Sequence, residues 1–302
     1  MRDHFSRKLC SFAEDPKFCF LTGDLGYNAL ENLASKMGER FINAGVSEQN
    51  MLSVAAAFSK KKLEAWAYSI GPFCYARAFE QIRNDICFHN LPVRIVGNGG
   101  GYAYGVMGPT HHSIEDYGAL STLPNIRTYV PVFNEDLDSV IDEMRKYPSP
   151  TYLRLGIDEK PSDWKAPKYK KWRQIINGDG PTIIVAGPIA TSYIKKLIML
   201  PKKYLPNMWI ISELPVKNIP KKLIHQIEKS NKLIMIEEHV KMGGIGQQIS
   251  YQLLKNHNIS IDFIHLYATS HIYKSYGSQK FLRRCSGLDS SSLLKNIAKL
   301  CK

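Results

Sequence analysis

The sequence is poor in cysteine, with six in 302 residues, and none stands in a CxxC pair. The scattered positions Cys10, Cys19, Cys74, Cys87, Cys285 and Cys301 argue against a disulfide framework and against a cysteine zinc site. They suit free thiols in a reducing compartment. Long hydrophobic runs are absent as well. No stretch approaches the roughly 18 apolar residues of a membrane helix, so no membrane contact is expected. The opening segment, MRDHFSRKLCSFAEDPK, carries charge throughout and lacks an apolar signal-peptide stretch, which makes a cytoplasmic location the expectation. There is no short-period repeat and no low-complexity tract. Acidic residues are in deficit, 27 against 40 Lys and Arg, for a formal net charge of +13. That excess falls in short groups (SKKKLE, KAPKYKKW, IPKKLI) and forms no single basic stripe, and no nucleic-acid motif accompanies it. A soluble enzyme with anionic ligands is therefore expected, and nucleic acid is not an expected partner.

What is present is alternation. In the first half, FCFLTG, RFINAG, LEAWAYSI, LPVRIVGNGGG, NIRTYVPV and PTYLRLG read as strands. Amphipathic stretches at helical spacing separate them, among them Glu48 to Phe58 and residues 73–88. Asn134 is the expected N-cap of NEDLDSVIDEMRK, and Ser47 of the helix at Glu48. The polar, proline-bearing segment GIDEKPSDWKAPKYKKWRQIINGDGP breaks the pattern. Beyond it, TIIVAG, NMWIIS, KLIMIEE and IDFIHLY are strands of a second, smaller unit. Such alternation predicts two parallel-sheet α/β domains, at residues 1–160 and 180–302, joined by a linker at 161–179.

Three stretches could carry chemistry. In AGVSEQNM, Glu48 enters an apolar helix, where a carboxylate complements the helix dipole even without further duty. In GNGGGYAYGVMGPTHHSIED, glycines after a buried strand allow close approach of a ligand, at the strand ends where parallel sheets bind ligands. The dinucleotide fingerprint is not met there, because Tyr102 takes the third glycine's place. The adjacent His111 and His112 point to proton transfer or hydroxyl binding more than to a metal, since only Glu115 and Asp116 lie nearby as further ligands. EEHVKMGGIGQQI reads as a tight strand-to-helix turn.

Together GDLG (23–26), AGVSEQNM (44–51), GPTHH (108–112) and EEHVKMGGIGQQI (237–249) resemble the transketolase family of thiamine-diphosphate enzymes, in its order and at its spacing. The resemblance spans nearly the whole chain but only part of a usual transketolase. It implies the thiamine-diphosphate pyrimidine-binding domain followed by the transketolase C-terminal domain. The diphosphate-binding domain normally precedes these, and the GDG in NGDGP lacks the rest of its metal motif. By this resemblance Glu48 bonds N1′ of the cofactor's aminopyrimidine, favouring the tautomer that deprotonates the thiazolium. Phe73, or else Tyr75 or Tyr68, stacks on that ring. His111 contacts the hydroxyls of the donor sugar, and His112 stands where Gln is common. Arg154 holds substrate phosphate, with Arg2 a possible second phosphate ligand. Met107 replaces an aspartate that helps select the donor's hydroxyl configuration, which implies an uncommon donor.

The function implied is one subunit of a split transketolase, transferring a two-carbon ketol unit between sugars or sugar phosphates. Its partner would be a chain carrying the diphosphate site and the Mg²⁺ ligands, with none of the metal ligands expected here. This chain would form a homodimer within an α2β2 assembly. A beta subunit of a 2-oxo acid dehydrogenase shares the same domain pair and is the alternative enzyme. A non-catalytic scaffold subunit is the alternative from another class, although such a remnant has no need of Glu48 or His111.

Overall fold

The computed structural model describes residues 1–256, 260–272 and 274–301. The first half supplies strands β1 (Phe18–Thr22), β2 (Phe41–Asn43), β3 (Glu64–Ile70), β4 (Arg94–Asn98), β5 (Arg127–Tyr129) and β6 (Thr151–Arg154). The second supplies β7 (Trp172–Ile176), β8 (Thr182–Ala186), β9 (Asn207–Ile211), β10 (Glu213–Leu214), β11 (Lys232–Glu237) and β12 (Asp262–Leu266). They form a seven-stranded sheet, β10-β5-β6-β4-β3-β1-β2, and a five-stranded sheet, β12-β11-β8-β9-β7. Every one of these pairings is parallel except β10 with β5 and β7 with β9.

The central strands β1, β4, β8 and β9 are buried along their whole length, as parallel strands covered on both faces must be. On one face of the first sheet Phe5, Phe20, Trp66 and Tyr68 pack together, with Phe5 and Tyr68 stacked at 6.0 Å. On the other face Met51, Leu52 and Ala55 of the helix Glu48–Lys60 meet Leu21 and Ala67. Burial of that stripe fixes where the helix begins, and so where Glu48 sits.

Two edge pairings depart from the sequence reading. Trp172 to Ile176, wholly inside the expected linker at 161–179, is an antiparallel edge strand of the second sheet. Glu213 and Leu214, from the second half of the chain, extend the first sheet through Tyr129 and Thr128. The two domains thus share a sheet edge. The expected caps also differ. Ser47 is the N-cap residue of its helix but makes no side-chain cap bond. The helix over Asp136–Lys146 is preceded by Glu135 and not by Asn134. There the Asp136 carboxylate reaches back to the amides of Val132 and Phe133, at 3.0 and 3.1 Å, and so fixes the segment that leads into the helix. Among the described residues no helix is long and apolar enough to cross a membrane.

Candidate active site

The carboxyl ends of the first sheet's strands converge on one edge, the usual place for a ligand in a parallel sheet. Glu48 stands there at the first turn after β2, and it is 1% exposed. Its Oε1 accepts from the Ser69 hydroxyl at the end of β3, at 3.0 Å. Its Oε2 lies 2.5 Å from Nη1 of Arg77. Gly23, at the end of β1, backs the carboxylate closely, and a Cβ there would stand 3.2 Å from Glu48 Oε1. The bare glycine leaves the carboxylate room to settle.

Phe73 follows β3 in the short helix Gly71–Tyr75 and is half-buried. The guanidinium carbon of Arg77 lies 4.3 Å from its ring centroid. The His111 ring meets it edge-on at 5.0 Å. His111 reaches this point from the glycine loop after β4. Gly99 has φ +80°, and a Cβ on it would collide with the Tyr104 ring, so the loop turns tightly beneath that tyrosine. Tyr104 in turn accepts from Asn98 Nδ2 at 2.6 Å. Burial lowers the His111 pKa, favouring a neutral imidazole beside Phe73. Met107 lies in the same loop and is 52% exposed.

Glu48, Phe73 and His111 are therefore brought together. The other expected residues are not. Tyr68 is 2% exposed and belongs to the aromatic core, where it stacks on Phe5 and lies 6.1 Å from Phe20. Tyr75 is also buried, and its hydroxyl donates to Glu115 Oε2 at 3.1 Å. Neither offers a ring face to a ligand. His112 is buried, turned away from its neighbour, stacked on His271 at 5.7 Å and edge-on to Tyr102. Arg2 lies on the first helix, half-exposed beside Asp3, where its charge is felt by the Tyr104 hydroxyl.

Arg154 is the largest departure. It is 3% exposed, with Nη2 donating to the carbonyls of Ser113 at 2.6 Å and Glu238 at 2.9 Å, and Nε 2.9 Å from Asp116 Oδ2. Burial would pull its pKa down, but Asp116 and the neighbouring Tyr117 and Tyr152 raise it. Glu238 accepts from the Tyr102 amide at 2.9 Å and pairs with Arg283 at 2.8 Å. This is a clamp between the domains, and a phosphate would have to break it to reach Arg154. The expectation of a phosphate-binding Arg154 does not fit that placement.

Glu237 explains the motif EEHVKMGGIGQQI. Its buried carboxylate accepts from the amides of Ile245 and Gly246, at 2.7 and 2.8 Å, and so holds the start of the helix Ile245–Asn256. Burial would raise its pKa, but the hydrogen bond from His265 and the nearby His239 charge draw it below the ordinary value. The turn is structural, as its sequence suggests.

Sequence reasoning missed Ser69, Arg77 and the Glu115–His271 contact. The signal for Arg77 was its spacing, four residues after Phe73, which places a side chain over its predecessor on a helical path. Nothing local marked the other two. Among the described residues no group of three or more His, Cys, Asp or Glu is placed to hold a metal ion.

Residues 2–158 match the model of the transketolase pyrimidine-binding domain family. Among curated proteins, the chain is 28% identical to a subunit of the apulose-4-phosphate transketolase of Phocaeicola vulgatus, over 84% of each. It is 25% identical to a putative transketolase C-terminal section of Methanocaldococcus jannaschii, covering 87% of this chain and 84% of that protein. It is 24% identical to a 1-deoxy-D-xylulose-5-phosphate synthase of Clostridium perfringens, where 90% of this chain matches 44% of the longer protein. Among solved structures, a split-gene transketolase described as an inactive β4 tetramer superposes with a TM-score of 0.82 at 24% identity, over 99% of this chain and 97% of that one. That likeness establishes the fold.

Proposed function

The chain belongs to the transketolase family through its pyrimidine-binding domain, and from that premise we propose that it is the C-terminal subunit of a split, thiamine-diphosphate-dependent transketolase. The observation that carries the reading is Glu48. A carboxylate 1% exposed at a helix start is costly unless partnered, and Phe73 lies on the same guanidinium that meets its outward oxygen. A buried carboxyl able to hold a proton for a ring nitrogen, beside an aromatic face, fits the aminopyrimidine half of thiamine diphosphate. When bound, that cofactor supplies the nucleophilic carbon and the electron sink for transfer of a two-carbon ketol unit. In this assignment Glu48 bonds the ring nitrogen, Ser69 fixes the other carboxylate oxygen, and Phe73 gives the ring a face. His111, neutral and edge-on to Phe73, meets the hydroxyls of a ketose donor.

The diphosphate and its Mg²⁺ are assigned to a partner chain, in a cytoplasmic α2β2 assembly. The relatives named as a transketolase subunit and as a C-terminal section support a divided enzyme. The name of the first supports a phosphorylated ketose as the substrate class. The exposed Met107 beside the histidine loop suits a donor unlike the common ones.

The test is isothermal titration of thiamine diphosphate with Mg²⁺ into this chain alone and into its mixture with a diphosphate-binding-domain protein. Tight binding in the mixture alone is the expected result. If neither sample binds although the two proteins form a complex, the cofactor assignment is wrong and the scaffold reading replaces it.

A further inference from the structure

Two groups assigned above to the aminopyrimidine are already engaged by a third residue. Arg77 Nη1 lies 2.5 Å from Glu48 Oε2, and the Arg77 guanidinium carbon lies 4.3 Å from the Phe73 centroid. A guanidinium is planar and delocalised, with N–H donors in its plane, and it both pairs with carboxylates and stacks on rings. It therefore engages the two groups assigned to the aminopyrimidine, meeting the Glu48 carboxylate and lying over the Phe73 ring, although the ring nitrogen is an acceptor and pairs with the carboxyl through a proton held between them.

The two anchors leave little freedom in where these contacts are met. Glu48 is 1% exposed and is held on its far side by Ser69 at 3.0 Å. Phe73 is half-buried, with His111 against its edge. A flat group that bonds Glu48 while stacking on Phe73 must take the place that the guanidinium takes. Arg77 itself is loosely tied. Its side chain is 38% exposed, and among the described residues it has no other hydrogen bond or ion pair. Its long apolar stem lets the head turn out to water without moving the backbone.

We propose that Arg77 occupies the aminopyrimidine slot of this chain, paired with Glu48 and stacked on Phe73, and that the cofactor's ring must displace it. The proposal rests on the function assigned above. Its consequence is quantitative, because the apparent affinity for the ring is reduced by the fraction of time the slot stands open.

The probe is the ring alone, 4-amino-5-hydroxymethyl-2-methylpyrimidine, titrated into the full chain by calorimetry. This removes the partner from the comparison, since Glu48 and Phe73 both lie here. Arg77→Met is expected to bind it about five- to tenfold more tightly than wild type, as for a slot open roughly 10–20% of the time. Arg77→Lys keeps a cation for Glu48 but loses the flat face, and is expected to fall between the two. It also guards against a Met variant that fails to fold, which thermal melting would reveal. Equal or weaker binding by the folded variants overturns the proposal, and weaker binding would make Arg77 a ligand of the ring. Failure of the cofactor assignment would look different. Neither the ring nor thiamine diphosphate with Mg²⁺ would bind wild type or variants, with or without the diphosphate-binding partner, and both claims would fall together.

Discussion

Two of the molecule's arginine–carboxylate pairs, Arg77 with Glu48 and Arg154 with Asp116, are built to opposite purposes. At the pyrimidine edge, Arg77 meets Glu48 through one nitrogen, and its side chain is 38% exposed. At the domain junction, Arg154 and Asp116 are 3% and 0% exposed, and the guanidinium is also spent on two carbonyls. The Asp116 carboxylate takes further bonds from Ser113 and Tyr152, at 3.1 and 3.0 Å. These contacts all meet Oδ2, while Oδ1 is buried without a hydrogen-bond partner, and the pair is hard to open because either ion alone would be left buried and uncompensated. A pair with one partner half in water can open by turning that partner outward, but the buried Glu48 then needs a replacement beside Ser69, which a ligand can supply. The first arrangement suits exchange with a ligand and the second suits holding two domains in register, although sequence alone presents both as an arginine and an acid.

The largest separation between the regions should come from Glu48→Gln. The amide keeps an oxygen for Ser69, and the half-exposed Arg77 left behind is solvated. We expect turnover with the partner present to fall by at least about a hundredfold, the scale of a lost proton-handling group. Melting should shift by no more than about 1 kcal/mol, as for one ordinary hydrogen bond. Assay of ketol transfer beside a thermal melt checks both, and near-wild-type turnover would remove Glu48 from the cofactor.

Asp116→Asn should do the reverse. It leaves the Arg154 guanidinium buried without its counter-charge, a change that costs about 3–5 kcal/mol in other buried pairs. Urea unfolding should register that loss, while the folded fraction still binds the aminopyrimidine with unchanged affinity. A loss under about 1 kcal/mol would mean that the junction is wetter than its packing implies. A changed ring affinity would mean that the two regions are coupled.

Much of this was legible beforehand. The apolar runs at β1, β3, β4, β8 and β11 announced parallel strands because burial on both faces forbids alternation. Glu48, Phe73 and His111 are named through the family resemblance, Phe73 with Tyr75 and Tyr68 as alternatives, and the structure brings these three near one another. The failures share a cause. Glu213 and Leu214 join the first sheet by pairing with residues more than eighty positions away, and no local pattern encodes that edge. The same is true of Arg154, whose partners include the Glu238 carbonyl from the other domain. Its sequence setting, YLRLG, reads the same whether the side chain faces a phosphate or a carbonyl. Tyr68 and Tyr75 looked like stacking partners because aromatic character is visible in sequence, whereas the direction of a side chain is not.

The boundary between the regions runs between two adjacent histidines, and pH can locate it. His111 faces Phe73, while His112 is 1% exposed against the second domain. Burial first, and the nearby His271 second, push the His112 pKa down to about 4, against which the Glu115 charge pulls weakly and His111 adds a small push. Glu115 itself stays ionised: burial raises its pKa, but the bond and charge of His271 together with the Tyr75 hydroxyl draw it below the ordinary value. A histidine whose folded pKa lies below its unfolded value of about 6.5 makes the unfolded chain bind the extra proton between the two, so stability must fall as pH drops through that window. The loss attributable to His112 is on the order of 2 kcal/mol at pH 5. His112→Gln removes the titrating group while filling the same space, and should flatten the acid limb of stability between about pH 6.5 and pH 4. His111→Gln, on the open side, should flatten that limb less, because burial lowers the His111 pKa in the same direction but by a smaller amount. Equal flattening by both would place His111 in the junction as well, and would move the edge of the active site back to Phe73.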